Sequence, residues 1–464
     1  MARASSPAKF LAPEVKTVAQ VSPARKVAFE ILVQVEAGRA FAADLLESRK
    51  ASALSEVDRG LATEIVMGVL RWRGEIDFRL EQLSGKPIGS FDREVVTALR
   101  MGIYQIAFLE KVPQSAAVNE SVELTKLARK RSAAGLVNAV LRKCEPSRVQ
   151  PGPGDTRDLS KASFHRAVPS WLLDRWETHY GLDAAGSLAH ASTHIPSTTL
   201  RITSLCQDPA VIQKKLREKG IRVRPGRYAA GALVVESGKG LNSEAAQEMG
   251  LAIQDEASQL VASLLAVQPG LQVLDLCAAP GIKTSLLADG LGGRLLAACD
   301  ISAGRLRTMR KLLPRLTADL KSIQVVQLDA SRELPFRQKF DRILVDAPCS
   351  GTGTLGRNPE IKWRLAPEDL ERLAGLQVSI LCHALGLLAA GGRLVYATCS
   401  LEPEENEKVV ESVLTKVPGC RSVTRQELSE EFPPLSSLFD SRGYFHTRPD
   451  LDGMDGFFAA VITR

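Results

Sequence analysis

The sequence predicts a multidomain protein with an all-α bundle, a small α+β module and a C-terminal α/β domain. At 464 residues the chain is too long for one ordinary hydrophobic core, so two or three domains are expected. Apolar residues recur three or four positions apart in the first third of the chain, which is typical of helices. In the last half, apolar strands alternate with helical stretches, which indicates a parallel sheet with helices on both faces.

The predicted bundle occupies residues 23–145 and follows a loose Ala/Ser/Pro-rich tail at 1–22. Four stretches carry the helical spacing: ARKVAFEILVQV, RGLATEIVMGVLRW, REVVTALRMGIYQIAFL and AAVNESVELTKLARK. The later part of the bundle is basic, with Lys126, Arg129, Lys130, Arg131, Arg142 and Lys143. A run of this kind fits a solvated surface or a face that contacts RNA phosphates, and the sequence leaves both open.

The middle of the chain is predicted to be a linker followed by a small domain. Proline and glycine are concentrated in 146–162, which indicates the linker. Within 163–245, the segments LRIT, DPAVIQKKLREKG, IRVRP and ALVVES predict strand, helix, strand and strand. The α/β domain then occupies 246–464, with the strands LQVLDL, GRLLAACD, IQVVQLDA, DRILVDAP and GRLVYATCS.

Four of these five strands carry an aspartate at or near the carboxyl end: Asp275, Asp300, Asp329 and Asp346. In open parallel sheets, ligands bind beyond the carboxyl ends of the strands. A single aspartate there is ordinary turn chemistry, whereas four in one sheet predict a binding site.

The loop after the first of these strands, DLCAAPGIKTS, is not a phosphate-binding loop of either common type. A Walker A motif would place glycines at Cys277 and Ile282, relative to Lys283, and no GxGxxG is present. Small residues nevertheless allow a ligand to approach the backbone closely. Asp300 stands 25 residues after Asp275, near the spacing at which an acid takes ribose hydroxyls. A site that binds a nucleoside but has no loop for a pyrophosphate fits S-adenosylmethionine.

Two cysteines follow strands in VDAPCSGTG and YATCS, namely Cys349 and Cys399. A disulfide, a metal site, simple packing and a pair of catalytic thiols are the candidate explanations. Eight cysteines in 464 residues are too sparse for a secreted disulfide scaffold. The absence of CxxC pairs and the scatter of six histidines argue against zinc, and no metal is expected. Because each cysteine precedes a serine at a strand end of one sheet, we favour functional thiols over packing.

The motifs LDLCAAPGIKT, DAPCSGTG and YATCSLEPEENE resemble those of RNA cytosine-C5 methyltransferases, and IQDEASQ and DGMDGFFAAVI fit the same family. The stretches DRGLATEIVMGVLRW and VPQSAAVNESVELTK resemble the NusB-like domain of the Sun/RsmB branch, which modifies small-subunit rRNA. The resemblance covers nearly all of the chain from residue 23 and implies a Rossmann-like methyltransferase domain and an RRM-like middle module. One position departs from the family, because Ile282 stands where glycine is usual; a positive φ there would strain isoleucine.

The resemblance implies methylation of C5 of a cytosine in 16S rRNA through a covalent bond between a cysteine and C6. Cys399 is then the nucleophile. Cys349 assists breakdown of the adduct, and Asp346 hydrogen-bonds the base at N3.

The same resemblance assigns the cofactor S-adenosylmethionine to one loop and to several strand-end acids. The loop comprises Cys277, Ala278, Ala279, Pro280, Gly281, Ile282 and Lys283. Asp300 suits the ribose diol and Asp329 the adenine amine, with Asp346 and Arg305 as further contacts. Lys283 instead fits an RNA phosphate or the target base. Arg357, Lys362 and Arg364 fit either RNA contacts or a solvated surface.

Other functions are less consistent with the sequence or stay open. An amino-group methylase would carry Asn-Pro-Pro-Tyr where DAPCS stands. A non-catalytic RNA-binding assembly factor would not need Cys399 or the first-strand loop. Transfer RNA and 23S rRNA remain alternative substrates. The net charge of +7 agrees with a polyanionic partner, and we expect small-subunit rRNA before full assembly. We also expect a cytoplasmic protein, because no signal peptide or membrane-spanning run is evident. A monomer is expected, although no residue pattern addresses the oligomeric state.

Overall fold

The computed structural model describes residues 21–145, 159–206, 208–238 and 241–464. The chain divides into two compact units, Met1–Ala167 and Val168–Arg464. Most of the predicted tail at 1–22 and of the predicted linker at 146–162 lies outside the described residues, although a helix at Leu159–Arg166 occupies the end of the linker.

The first unit is helical throughout its described part, as predicted. Its helices are α1 (Pro23–Glu36), α2 (Ala42–Leu46), α3 (Arg49–Ser52), α4 (Glu56–Ser84), α5 (Arg93–Phe108), α6 (Gln114–Leu127), α7 (Ala134–Arg142) and α8 (Leu159–Arg166). Helix α4 begins at a capped end, where the Ser55 hydroxyl accepts a hydrogen bond from the Asp58 amide. The apolar faces meet in one core that includes the fully buried Leu32, Ile65 and Leu99.

The basic stretch of this unit lies at the end of α6, in the following turn and in α7. Lys126 pairs with Glu123 at 2.7 Å, and Lys130 pairs with Asp92 at 2.9 Å. Exposed pairs of this kind contribute little to stability. An RNA-phosphate face at this stretch stays a prediction.

The second unit begins with two helices and a four-stranded antiparallel sheet. The elements are α9 (Ser170–Tyr180), α10 (Leu182–Ala191), β1 (Thr199–Ile202), α11 (Pro209–Glu218), β2 (Arg222–Pro225), β3 (Ala232–Ser237), α12 (Ser243–Glu248) and β4 (Leu251–Ile253). The strand order is β2-β3-β1-β4. The predicted strand–helix–strand–strand sequence is present, and β4, beyond residue 245, adds the fourth strand.

The larger sheet of the second unit carries the predicted parallel strands. Its elements are α13 (Glu256–Ser263), β5 (Val273–Leu276), α14 (Ile282–Asp289), β6 (Leu296–Asp300), α15 (Ala303–Leu312), β7 (Ile323–Gln327), β8 (Phe340–Asp346), α16 (Ile361–Arg364), α17 (Pro367–Gly386), β9 (Leu388–Thr398), α18 (Glu407–Lys416), β10 (Arg421–Ser422), α19 (Arg425–Glu431), β11 (Phe445–Thr447), α20 (Pro449–Asp452) and β12 (Phe457–Thr463). Helices α17 and α18 pack on one face, and α13, α14 and α19 pack on the other.

The strand order of this sheet is β10-β12-β9-β8-β5-β6-β7, and β11 pairs with β12. Strands β5 to β9 are parallel, whereas β12 is antiparallel to β9 and also pairs with β10 and β11. Strand β5 lies between β6 and β8, so the strand order reverses there. Loops that follow β5 and β8 diverge at such a reversal and leave a crevice for a ligand.

Candidate active site

The loop between β5 and α14 turns sharply so that α14 begins beside the end of the strand. Two residues take left-handed backbone conformations, Cys277 with φ +63° and Gly281 with φ +99°. A Cβ on Gly281 would lie 2.8 Å from Met309 Cγ, so glycine is needed there for both conformation and space. Ile282 begins α14. The backbone strain that a positive φ would impose on Ile282 is therefore absent, because the left-handed conformation belongs to its neighbour Gly281.

Asp300 and Arg305 close the side of this loop that faces β6. The carboxylate of Asp300, almost fully buried, accepts from the amides of Ser302 at 2.8 Å and Ala279 at 3.3 Å. The guanidinium of Arg305 lies 3.1 Å from Asp300 Oδ2 and donates to the Ala279 carbonyl. The arginine thus fixes the loop to the second strand and leaves the carboxylate at the sheet edge.

Asp329 stands two residues beyond the end of β7. Its carboxylate accepts from the Ser331 amide at 3.0 Å and from the Ser331 hydroxyl at 2.6 Å. These hydrogen bonds, assisted by Arg332, lower the pKa of Asp329. The side chain is therefore an ionised acceptor at neutral pH, which suits an amine-bearing ring.

A cavity of about 270 Å³ opens beside the same loop, at the crevice between β5 and β8. Its lining includes Asp275, Ala278, Ala279, Pro280, Ile282, Lys283, Asp346, Arg357, Asp455 and Phe457. Asp300, Arg305 and Asp329 do not line it; they lie toward the next two strand ends. The predicted cofactor residues therefore form two neighbouring groups along the carboxyl edge of the sheet.

Asp275 is a fully buried carboxyl group that contributes to this cavity. The Thr284 hydroxyl donates to its Oδ2 at 2.6 Å, while Oδ1 is buried without a hydrogen-bond partner in the structure. Burial raises the pKa of Asp275 to about 7. An unpaired polar atom in a cavity is costly unless a ligand or water completes it. This atom, the small-residue loop and the strand-end acids together fit a nucleoside cofactor that also carries a hydrogen-bond donor.

Lys283 and Asp346 join the loop of β5 to the end of β8. The ammonium lies 2.8 Å from Asp346 Oδ2 and 5.0 Å from the ring centroid of Phe457. Burial acts to lower the pKa of Lys283, but the charge and hydrogen bond of Asp346 outweigh burial and raise it. Lys283 therefore carries its charge at neutral pH. The pair offers a donor and an acceptor side by side in the cavity.

The two cysteines meet at the ends of neighbouring parallel strands. Asp346 is in register with Ala397, so Cys349 and Cys399 follow β8 and β9 at nearly the same level. Their Sγ atoms are 3.3 Å apart, and the Cys399 amide donates to Cys349 Sγ at 3.3 Å. Both side chains are half-buried and neither is in a disulfide. Hydrogen bonding to Cys399 and burial raise the pKa of Cys349 well above its ordinary value.

Glu405 is a buried carboxyl group at this site that the sequence did not single out. It accepts hydrogen bonds from Ser350 and Ser400, the residues directly after the two cysteines. Glu405 belongs to the quoted motif YATCSLEPEENE, but what separates it from its acidic neighbours is its hydrogen bonding to both cysteine loops, which the motif does not reveal.

Arg357, for which the sequence left RNA contact and a solvated surface open, is bound by side chains of the second unit. It donates to Asp455 Oδ2 at 2.8 Å and to Asp255 Oδ2 at 2.8 Å. These aspartates come from DGMDGFFAAVI and IQDEASQ, so the cavity joins three distant motifs. Lys362 is fully buried, and its Nζ donates to Ser192 Oγ at 3.4 Å. The prediction that Lys362 contacts RNA or solvent was wrong, because its long side chain packs inward.

Among the described residues, no three His, Cys, Asp or Glu side chains are grouped so that they would hold a metal ion. No described helix is both long enough and apolar enough to cross a membrane.

Protein family models match three parts of this chain. A model described as 16S rRNA methyltransferase RsmB/F matches residues 262–463. The NusB family matches 22–146, and the ferredoxin-like domain of RsmF/B-like methyltransferases matches 168–241.

Full-length relatives and solved structures agree with these matches. The probable ribosomal RNA small subunit methyltransferase B of Bacillus subtilis is 32% identical over 442 residues, 95% of this chain and 98% of the relative. The ribosomal RNA small subunit methyltransferase B of Pseudomonas putida is 34% identical over 420 residues, 89% and 92%. The crystal structure of PH0851 aligns with a TM-score of 0.78 at 23% identity, covering 96% of this chain and 99% of that one. A methyltransferase homolog from Pyrococcus horikoshii aligns at 0.54 and 28% identity, covering 66% and 99%.

The fold and the carboxyl-edge site therefore define an S-adenosylmethionine-dependent rRNA methyltransferase with a NusB domain. The chain belongs to the RsmB/F family. The predicted family, fold and cofactor are confirmed.

Proposed function

We propose that the protein methylates C5 of a cytosine in 16S rRNA through a transient bond between Cys399 and C6 of the base. The observation that supports this proposal is the approach of the Cys349 and Cys399 Sγ atoms to 3.3 Å, at adjacent strand ends of the methyltransferase sheet. Two thiols placed in this way suit a reaction in which one sulfur bonds to the substrate and the other assists its release.

The cofactor is held, in this proposal, by residues 277–283 together with Asp300, Asp329 and Asp346. When bound, S-adenosylmethionine supplies an electrophilic methyl group. Asp300, at the end of β6, accepts from ribose hydroxyls, and the ionised Asp329 accepts from the adenine amine. Arg305 acts indirectly, because it holds Asp300 against the loop.

Cys399 activates the base because C5 of cytosine is a poor nucleophile. A sulfur electron pair forms the S–C6 bond, and the C5–C6 π electrons become available at C5. Asp346 binds the polar edge of the base, and the neighbouring Lys283 ammonium stabilises the negative charge that develops there. C5 would then bond to the methyl group, whose bond to the cofactor's sulfur would break and leave its electron pair on that sulfur. A general base would take the C5 proton, the double bond would re-form, and the S–C6 electron pair would return to Cys399.

Cys349 assists this last step. Its raised pKa keeps the thiol protonated at neutral pH, so it can donate a hydrogen bond to the departing sulfur of Cys399. Cys349 thus carries the proton, and Cys399 supplies the nucleophilic electron pair.

The test combines RNA mapping with substitution of the nucleophile. Bisulfite mapping of total RNA from cells lacking the gene should show the loss of 5-methylcytosine at a 16S position. Wild-type protein should restore it, and Cys399→Ala should not, although that variant should bind S-adenosylmethionine normally. Cys382→Ala, which removes a half-buried thiol from α17, is the matched control and should restore the modification. A lost signal in transfer RNA or 23S rRNA would overturn the substrate, and turnover by Cys399→Ala would overturn the covalent step.

A further inference from the structure

Glu405 joins the two loops that carry the cysteines. Its side chain is fully buried. Oε1 accepts from the Ser350 amide at 2.8 Å and from Gln377 Nε2 at 2.9 Å. Oε2 accepts from the Ser400 hydroxyl at 2.5 Å and from the Ser350 hydroxyl. One carboxylate thus receives four hydrogen bonds, three of them from the residues that directly follow Cys349 and Cys399.

The bonding pattern makes Glu405 a bridge between the loops. Among the described contacts, all four donors to its side chain are neutral groups of the two loops and of α17. A buried carboxyl group whose hydrogen bonds came from one loop alone would fix that loop alone. Here the same two oxygens must be shared between both loops.

The loops also share contacts that do not involve Glu405. The Gly353 amide donates to the Cys399 carbonyl at 2.9 Å, and the Leu401 amide donates to Thr352 Oγ1 at 2.9 Å. The Ser350 and Ser400 hydroxyls lie 3.0 Å apart, and the Cys399 amide donates to Cys349 Sγ at 3.3 Å. Sulfur is a weak acceptor, so this last contact holds the thiols together less firmly than the carboxyl group does. Glu405 binds the residue directly after each cysteine and therefore constrains the distance between the two Sγ atoms.

We propose that Glu405 is a positioning residue that fixes the separation of Cys349 and Cys399. This inference rests on the proposed function, in which the two sulfurs act in sequence on one base. Without Glu405, Ser350 and Ser400 lose their shared acceptor, the two loops shift relative to each other, and the proton of Cys349 no longer meets the sulfur of Cys399. Glu405 does not touch the substrate; it acts through Ser350 and Ser400.

The direct test measures the distance between the thiols without any RNA. Phenylarsine oxide bonds to two neighbouring thiols at once and releases water, so it reports thiol pairs a few ångströms apart. Wild-type protein should bind one equivalent through Cys349 and Cys399, and Cys349→Ala supplies the background from the other cysteines. In Glu405→Gln, which keeps the size of the side chain, bridging should slow at least tenfold. Bridging at the wild-type rate would overturn the proposal.

A kinetic measurement separates positioning from a general loss of structure. In Glu405→Gln, kcat should fall at least tenfold, while KM for RNA and the dissociation constant for S-adenosylmethionine stay within twofold of wild type. Glu404→Gln is the matched control, because the neighbouring carboxylate binds Arg175 and Lys408 instead of the cysteine loops. An equal loss in both variants would overturn the specific role of Glu405.

A milder variant keeps the proposal testable if Glu405→Gln fails to fold. Ser400→Ala removes one of the four donors and should slow bridging by phenylarsine oxide severalfold; an unchanged rate would contradict the bridge. The arsenical result also stands apart from the proposed function. If bridging depends on Glu405 while Cys399→Ala still methylates RNA, the positioning role is supported and the covalent mechanism is overturned.

Discussion

The two sulfur atoms at the site differ in their electrostatic surroundings although they lie 3.3 Å apart. Two negative charges at that distance in a half-buried site would repel each other strongly. The raised pKa of Cys349 shows that this cysteine keeps its proton. In the proposed mechanism, a protonated thiol next to the nucleophile is suited to the release step and unsuited to the attack. We therefore predict different consequences for the loss of each cysteine.

Cys349→Ala should accumulate a covalent complex with RNA that contains the target cytosine. Attack by Cys399 and methylation can proceed in this variant, but the adduct should break down slowly because the departing sulfur lacks its donor. A denaturing gel should show a slow, nuclease-sensitive band that wild-type protein lacks at steady state. The double variant Cys349→Ala/Cys399→Ala should show no band. Equal bands in the two single variants would contradict the division of roles, and a band only with Cys399→Ala would exchange them.

Asp300→Ala should weaken binding of S-adenosylmethionine at least tenfold. A hydrogen bond to a charged group contributes about 1.5–3 kcal/mol, and each 1.4 kcal/mol corresponds to about tenfold in affinity. Titration calorimetry on the folded variant measures the change. Glu333→Gln, which neutralises an exposed carboxylate after β7, should leave the affinity unchanged. An unaltered dissociation constant for Asp300→Ala would place the ribose elsewhere.

At the scale of elements, the hydrophobic patterns predicted the strands well because their signal is local. Each of β5 to β9 is an apolar run next to a turn, and the pattern of the chain alone identifies it. Strand β12 was recognised only as part of a motif. Its antiparallel pairing with β9 depends on which edge is left open after the other strands have assembled. That information is not local.

The same distinction explains which site residues were predicted. Asp346, Cys349 and Cys399 stand out because polar residues directly follow strands. Glu405 and Arg357 act through partners that are distant in sequence, such as Ser350, 55 residues away, and Asp455, 98 residues away. A motif shows that such residues recur together, but only the fold shows which carboxylate is buried between which loops.

Helix α9 holds the loop that follows Cys399, and this contact yields a prediction about stability. Arg175 Nε donates to Glu402 Oε2 at 3.0 Å, and Trp176 Nε1 donates to Oε1 at 3.2 Å. Glu402 is fully buried, and burial raises its pKa despite these partners. Removal of the guanidinium should therefore leave a buried carboxylate without its cation.

Arg175→Met should destabilise the second unit by about 3 kcal/mol, because loss of one partner leaves the other charge buried. Adding Glu402→Gln should restore most of this stability, since the amide keeps the hydrogen bond to Trp176 without a charge. Urea unfolding of the single and double variants measures both effects. Additive losses in the double variant would mean that the two side chains contribute independently.

At the scale of the whole molecule, the two units have separate tasks in the proposed function. Every residue assigned to the cofactor or to the chemistry lies in Val168–Arg464. A fragment of residues 168–464 should therefore bind S-adenosylmethionine within twofold of the full chain. Its affinity for 16S rRNA should fall, because the basic stretch of the first unit is missing, and the salt dependence of RNA binding should become shallower. Unchanged RNA binding and salt dependence would show that the first unit does not contact RNA.

The pairing of β12 with β9 also governs when the enzyme becomes active during its synthesis. Strand β9, which leads to Cys399, is translated about sixty residues before β12. Until β12 leaves the ribosome, one edge of β9 is open, and Arg357 lacks Asp455. The Gly353 and Gly456 backbones, which touch too closely for any side chain, also remain apart. A nascent chain therefore carries its proposed nucleophile in an unfinished site, and we expect the capacity to modify RNA to arise only after the last strand of the sheet has been added.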